Sequence, residues 1–187
     1  NGKPIVSAQQ GADNLHRGGY DWYFDQYGEA DDGILTYGFW GSQAEFEGTY
    51  HKSTTIPDFY ATSYTEPENF LPFSEAQIAA TELAIGLWDD VMADDFERAA
   101  TAAESDLAYM NTIMSPAAGA GAFLPGQLNG LDDLIEFFYG IAEIGRLGGD
   151  VFVNRLETAN FDPAVAGSYA LQTLLHETGH ALGLEHV

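Results

Sequence analysis

One stretch constrains this chain more than any other: His176-Glu177-Thr178-Gly179-His180-Ala181-Leu182-Gly183-Leu184-Glu185-His186, which reads H-E-x-x-H-x-x-G-x-x-H. The run before it, Tyr169 to Leu175, carries no Pro and no Gly. A helix therefore continues into the motif, with Leu171, Leu174, Leu175, Ala181 and Leu182 as its apolar positions. Residues four apart on a helix stack on one face, so His176 and His180 project together. Two imidazoles so placed hold one zinc ion, which prefers nitrogen ligands in a tetrahedral shell. Glu177 lies one step round the helix, beside the metal rather than on it, where a general base for a zinc-bound water belongs. Gly183 permits a positive φ, which stops the helix and swings the chain round. His186 follows three residues later and reaches the same ion as a third ligand. The bland alternative, an amphipathic helix whose histidines are merely satisfied in a core, needs three histidines to fall at metal spacing by coincidence.

The chemistry expected of this set is peptide-bond hydrolysis with one catalytic zinc ion. His176, His180 and His186 bind zinc as neutral imidazoles, and Glu177 takes a proton from the attacking water and passes it to the leaving amine. No covalent intermediate is needed. The chain holds no G-x-S-x-G elbow, and its carboxylates are too scattered to nominate a glycosidase pair. Gly119-Ala120-Gly121 lacks the third glycine and the following helix of a dinucleotide fingerprint. With no cysteine there is no disulfide, thiolate zinc site or cysteine nucleophile. Net charge is -23, from 29 acidic and 6 basic side chains. Such a field repels phosphate backbones and anionic lipid, so neither nucleic acid nor membrane is an expected partner. The acidity itself is read as a solubility device. No run is long and apolar enough to span a bilayer. Protein or peptide substrates are the expected partners, and a monomer the expected state.

Along the chain, residues 1–33 are polar and rich in turn signals, a surface lead-in in which His16 is a solvent-exposed side chain. Asp31-Asp32-Gly33 reads as a plain turn, since no full calcium loop follows. Ile34 to Trp40 has the content of a strand. Residues 41–72 are expected to be irregular, with Pro57, Pro67 and Pro72 as breakers and His51 on the surface. Ser74 and Gln77 form a capping-box pair at the start of a helix whose apolar stripe is Ala80, Ala84, Leu87, Trp88 and Val91. Ser105 to Asn111 is a further strand. Ala120 to Leu124, ended by Pro125, is short and bounded by breakers, as edge strands are. An exposed edge offers unpaired backbone groups to an extended peptide. Leu131, Leu134, Ile135, Phe138, Ile141 and Ile144 fall at helical spacing within 128–147, and Val151 to Val153 forms the last strand before the motif. Gly148-Gly149-Asp150 does not recur at a short period, so no calcium-binding β-roll is present.

The zinc motif resembles the signature of the metzincin metallopeptidases, and the surrounding text resembles their serralysin branch. The motif is preceded by Gly167-Ser168-Tyr169-Ala170-Leu171-Gln172-Thr173. Phe73-Ser74-Glu75-Ala76-Gln77 with Leu87-Trp88-Asp89 is similar to that branch's first helix. Ala122-Phe123-Leu124-Pro125-Gly126 and Gly149-Asp150-Val151-Phe152-Val153-Asn154 are similar to its edge and last strands. The likeness covers residues 34–187. It implies an α+β fold, the metzincin upper subdomain: a twisted, mostly parallel sheet with an antiparallel edge strand, packed on two long helices. It also implies that Ala120, Gly121, Ala122 and Phe123 line the cleft and bind substrate. A secreted, extracellular bacterial endopeptidase is the implied activity and location, with export through a C-terminal signal and calcium held in a C-terminal region outside this sequence. One departure stands out. The family's methionine turn lies beyond the third histidine, whereas Met92, Met110 and Met114 all precede it, and Val187 stands where proline is usual. The chain is therefore expected to be an incomplete catalytic domain over 1–187, with the lower subdomain missing and the fragment itself weak or inactive. A non-catalytic zinc-binding or adhesive module that keeps the fold is the alternative. Glu177 argues against it, because structure alone requires no carboxylate there. A matrixin-like intracellular protease would differ mainly in location.

Overall fold

The computed structural model describes residues 33–50, 69–92, 94–114, 117–124, 148–163 and 165–186, with backbone alone over 47–50. Five strands, β1 (Ile34–Phe39), β2 (Asp95–Arg98), β3 (Leu107–Thr112), β4 (Ala120–Ala122) and β5 (Val151–Asn154), lie in the order β2-β1-β3-β5-β4. β1 runs parallel to β2 and β3, and β3 parallel to β5. Only β4 pairs antiparallel. The helices among the described residues are α1 (Gln43–Tyr50), α2 (Glu75–Asp89) and α3 (Tyr169–Ala181). A mixed α/β chain with a mostly parallel sheet and an antiparallel outer strand agrees with the expected layout. The helical pattern over 128–147 and the histidines His16 and His51 lie outside the described residues.

Alternation along the central strands sorts the core into two sides. Leu107, Tyr109, Val151 and Val153 face α2 and α3, where they pack with Phe73, Ala80, Ala84, Ile85, Leu171, Leu174, Ala181 and Leu182. Ala108, Met110 and Phe152 face the other way, onto Trp40, Phe46, Phe70, Ala102 and Met114. Strands buried on both sides carry the near-continuous apolar runs typical of parallel sheets. β3 and β5 are buried along their whole length.

Three points depart from the expectations or add to them. The stretch 41–72 opens with α1, which an S-x-x-E pattern at Ser42 to Glu45 announces. Ser42 Oγ accepts from the Glu45 N–H at 3.1 Å, and Glu45 Oε2 accepts from the Gly41 N–H at 3.1 Å. Phe46 then anchors the helix, edge-on to Trp40 and stacked on Phe70. Second, Asp95-Phe96-Glu97-Arg98 is a strand despite a composition that disfavours one. Parallel pairing with Ile34 to Tyr37 supplies its backbone bonds, Phe96 packs on the core, and the Arg98 guanidinium lies 5.0 Å over the Phe39 ring. Third, the buried face of α2 is Gln77, Ala80, Thr81, Ala84 and Ile85, while Leu87 and Val91 are exposed. A polar pair sets that rotation. Gln77 Nε2 donates to Asn111 Oδ1 at 2.8 Å, and Asn111 Nδ2 donates to Gln77 Oε1 at 3.1 Å, burying both amides between helix and sheet.

The Ser74–Gln77 capping box forms as expected. Gln77 Oε1 accepts from the Ser74 N–H at 3.0 Å and from Asn111, so one amide both caps α2 and pins it to β3. Asn111 Nδ2 also donates to the Pro72 carbonyl at 3.1 Å. Replacing Asn111 with Leu strands the Gln77 amide and that carbonyl. Chemical denaturation should show a loss of about 2–4 kcal/mol. Gln77→Leu combined with Asn111→Leu should cost less than the sum of the single changes; strict additivity would mean the pair is not coupled.

Candidate metal centre

Helix α3 begins where the Ser168 side chain accepts from the Leu171 N–H, an N-cap that leaves Tyr169 as the first helical residue. It ends in a Schellman turn. The Gly183 N–H bonds to the His180 carbonyl at 2.8 Å and the Leu184 N–H to the Gly179 carbonyl at 2.9 Å. Gly183 adopts φ 96°, a left-handed value that side chains with a Cβ resist. Between these caps, Ala170, Leu171, Leu174, Thr178 and Ala181 are buried. His176 and His180 stand on the opposite side.

The turn brings His186 back to those two rings. The three Nε2 atoms form a near-equilateral triangle, His180–His176 3.1 Å, His180–His186 3.1 Å and His186–His176 3.0 Å. Nitrogens at zinc-ligand distance from one tetrahedral ion lie roughly 3.3 Å apart, so the triangle fits a single ion. The tautomer fits as well. His180 Nδ1 lies 2.5 Å from the Leu184 carbonyl. A carbonyl only accepts, so Nδ1 carries the proton and Nε2 turns its lone pair to the cluster. Desolvation, followed by the neighbouring His180 and His186 rings, holds the His176 pKa below its ordinary value, which keeps that imidazole neutral at pH 7. Three imidazole nitrogens converging on one point are a set that could hold a metal ion.

Glu177 sits between the two helical histidines yet turns inward, only 8% exposed. Burial pushes its carboxyl up to about 7. A carboxyl poised there takes and returns protons near neutral pH.

The sheet and α2 hold this helix from below and behind. The Tyr109 hydroxyl, on β3, bonds to Thr178 Oγ1 at 3.0 Å, and burial raises the phenol pKa far above its usual range. Trp88, on α2, donates its indole N–H to the Leu175 carbonyl at 3.2 Å. Its ring lies against Gly179, where a Cβ would stand 3.1 Å from the indole edge. The residues beside both helical histidines are thus gripped.

Ala120, Gly121 and Ala122 form β4 and contact α3, paired with Val153, Phe152 and Val151. Phe123 continues the ladder, donating its N–H to the Asp150 carbonyl and accepting from Gly149, while its ring meets Phe152 edge-on on the other side of the sheet. In an antiparallel ladder, backbone groups alternate between partner and open side. Gly119 and Phe123 bond toward β5, so Ala120 and Ala122 turn their N–H and C=O away from it. The motif pointed to His176, Glu177, His180 and His186; the structure brings the three imidazoles together, and Glu177, next to His176 in the chain, is buried. Sequence reasoning missed Tyr109, Trp88, Asn154 and Asn160; a polar residue closing an apolar strand, as at Asn154, was the one signal available.

No family model matches the chain. It is similar to the Metalloprotease AprA of Pseudomonas entomophila (strain L48), 29% identical over 187 residues, covering 100% of this chain and 32% of that protein. Serralysin G of Dickeya chrysanthemi is 26% identical over 185 residues, covering 98% of this chain and 33% of that protein. The Metallopeptidase AprA of Pseudomonas marginalis is 29% identical over 188 residues, covering 100% of this chain and 33% of that protein. The chain spans about a third of the length of these curated relatives. Their names support a metalloprotease at a distant level.

The environment of Glu177 has a sign that can be measured. The unfolded chain loses this proton near 4.5 and the folded chain near 7. Stability is therefore present below 4.5 and lost as pH rises through 7. In metal-free protein, Glu177→Gln should leave the unfolding free energy unchanged at pH 4. At pH 8 it should raise it by up to about 3 kcal/mol. An equal effect at both values in urea titrations would refute burial as the cause.

Proposed function

From the likeness to those metalloproteases, we propose that residues 1–187 are the metal-binding part of a longer, secreted zinc-dependent endopeptidase, with His176, His180 and His186 as the zinc ligands and Glu177 as general base. The observation that carries this is the convergence of the three Nε2 atoms to within 3.1 Å of one another, with the neighbouring residue Glu177 buried. Bound zinc supplies Lewis acidity to the scissile carbonyl and to the water that attacks it. Glu177 then accepts the proton of that water and returns it to the leaving amine. His180, with Nδ1 tied to the Leu184 carbonyl, keeps its ring orientation through the cycle. Chemistry of this kind needs the substrate held extended beside the metal, and β4 turns the backbone groups of Ala120 and Ala122 to its open side for that purpose.

Protein or peptide substrates follow from the reaction. The extracellular location is proposed from the resemblance to serralysins alone. Among the described residues no helix is long and apolar enough to cross a membrane. A zinc module with a purely structural task would have no use for a carboxyl buried at a cost beside the donor triangle.

Two measurements test the assignment. Elemental analysis of the protein loaded with zinc should give one equivalent, and His186→Ala should weaken zinc binding by ~100-fold or more, as expected of a ligand rather than its supporting shell. Glu177→Gln should retain the zinc while casein cleavage falls by about 10²–10⁴-fold. Cleavage is measured on the full-length protein: undiminished cleavage there would remove Glu177 from the chemistry, and absence of zinc from wild-type protein would remove the whole reading.

A further inference from the structure

Away from the donor triangle, two buried amides stand at the place where β4 begins. Asn154, 1% exposed, closes β5. Its N–H donates to the Gly119 carbonyl at 3.0 Å and its Nδ2 to the Ala118 carbonyl at 2.7 Å. Its Oδ1 accepts from the N–H groups of Met114 at 3.2 Å and Leu156 at 3.1 Å. Asn160, 3% exposed, lies in the short 3-10 turn Thr158–Phe161 on the way to α3. Its Nδ2 donates to the Gly119 carbonyl at 2.7 Å and to the Asn154 carbonyl at 3.1 Å.

Asn160 Oδ1 is buried and has no hydrogen-bond partner among the described residues. A flip of the amide would set oxygen against two carbonyl oxygens, so the side chain is locked in this orientation by its two acceptors. An unpaired buried acceptor is a penalty. What the chain gains is a second donor on one particular carbonyl, that of Gly119. The Tyr169 hydroxyl, in the first turn of α3, lies where a Cβ on Gly119 would stand. Gly119 is thus the joint at which β4, β5 and the metal helix meet.

β4 has only three ladder residues, and its far end is fixed by the Phe123 bonds to Asp150 and Gly149. At the near end Asn154 holds the Ala118 and Gly119 carbonyls from β5, and Asn160 adds the bond that ties the Gly119 carbonyl to the turn before α3. Resting on the peptidase reading above, we propose that Asn160 is a positioning residue: by pinning the Gly119 carbonyl it fixes the gap between the open edge of β4 and the metal helix. That gap decides how tightly an extended peptide is held against the metal. Asn160 touches neither metal nor substrate, and acts through the strand.

The test separates peptide affinity from metal affinity. In the full-length, zinc-loaded Glu177→Gln protein, binding of fluorescein-labelled casein is followed by polarisation, and zinc affinity by competition with a chromophoric chelator. Adding Asn160→Ala should weaken casein binding about tenfold while zinc affinity stays within about twofold, the size expected for one lost hydrogen bond felt only by the strand. With Glu177 intact, KM should rise by the same factor and kcat should hold. Asn160→Leu, of nearly the same shape but with no donor for the Gly119 carbonyl, should reproduce the pattern. Unchanged casein affinity, or zinc affinity falling in parallel, overturns the proposal. So does failure of both variants to fold, which would make the joint a stability element. A zinc-loaded Glu177→Gln protein with native Asn160 that binds no casein counts instead against the peptidase reading.

Discussion

The bonds that end helix α3 also assemble the donor set, and the rest of the molecule is arranged around that coincidence. With Gly183 at φ 96°, the chain reverses within one turn and offers the Leu184 carbonyl to His180 Nδ1. The same reversal carries His186 to the two helical rings. Capping, tautomer selection and recruitment of the third imidazole are consequences of one backbone conformation. An L side chain at position 183 would have to hold a left-handed φ at a cost of about 1 kcal/mol or more, and three functions would suffer together.

Below that turn the helix is held by contacts that are few but directional. Apolar packing of Leu171, Leu174 and Ala181 places α3 on the sheet without fixing its rotation or its slide along the axis. The Tyr109 hydroxyl on Thr178 and the Trp88 indole on the Leu175 carbonyl supply both. They fall immediately beside His176 and His180, where a small rotation would spread the nitrogens apart. Hydrogen bonds of this kind contribute modestly to stability, and their larger effect is to select one geometry among similarly packed ones.

How much of this a sequence discloses depends on the range of the interaction. The three histidines, the glutamate and the glycine lie within one short stretch, so helical periodicity and turn preference are enough to place them. Strands β1, β3 and β5 announce themselves by β-branched and aromatic residues, and the Ser74–Gln77 cap by its spacing. The likeness to serralysins added the antiparallel course of β4, which alternation alone does not give. What stayed hidden was non-local. Asp95 to Arg98 becomes a strand because β1 lies beside it, against its own composition. The rotation of α2 follows from an amide pair between Gln77 and Asn111, 34 positions apart. Leu87 and Val91, apolar by sequence, end outside for that reason. The pins on Gly119 join residues from three separated segments, and no local pattern signals them.

The two outer strands of the described sheet are unlike in a way that matters for crowded, concentrated settings. β2 presents Asp95, Glu97 and Arg98, mostly exposed, with Arg98 tied to Glu82 at 2.7 Å. Charged side chains along a margin discourage another polypeptide from extending the sheet there. β4 is Ala-Gly-Ala, small, uncharged and of restricted length. Growth of the sheet is thus discouraged at one margin and permitted at the other, so molecules cannot readily stack margin to margin into a continuous ribbon. Among the described strands, the uncharged margin is the shorter and the charged one carries the ion pair.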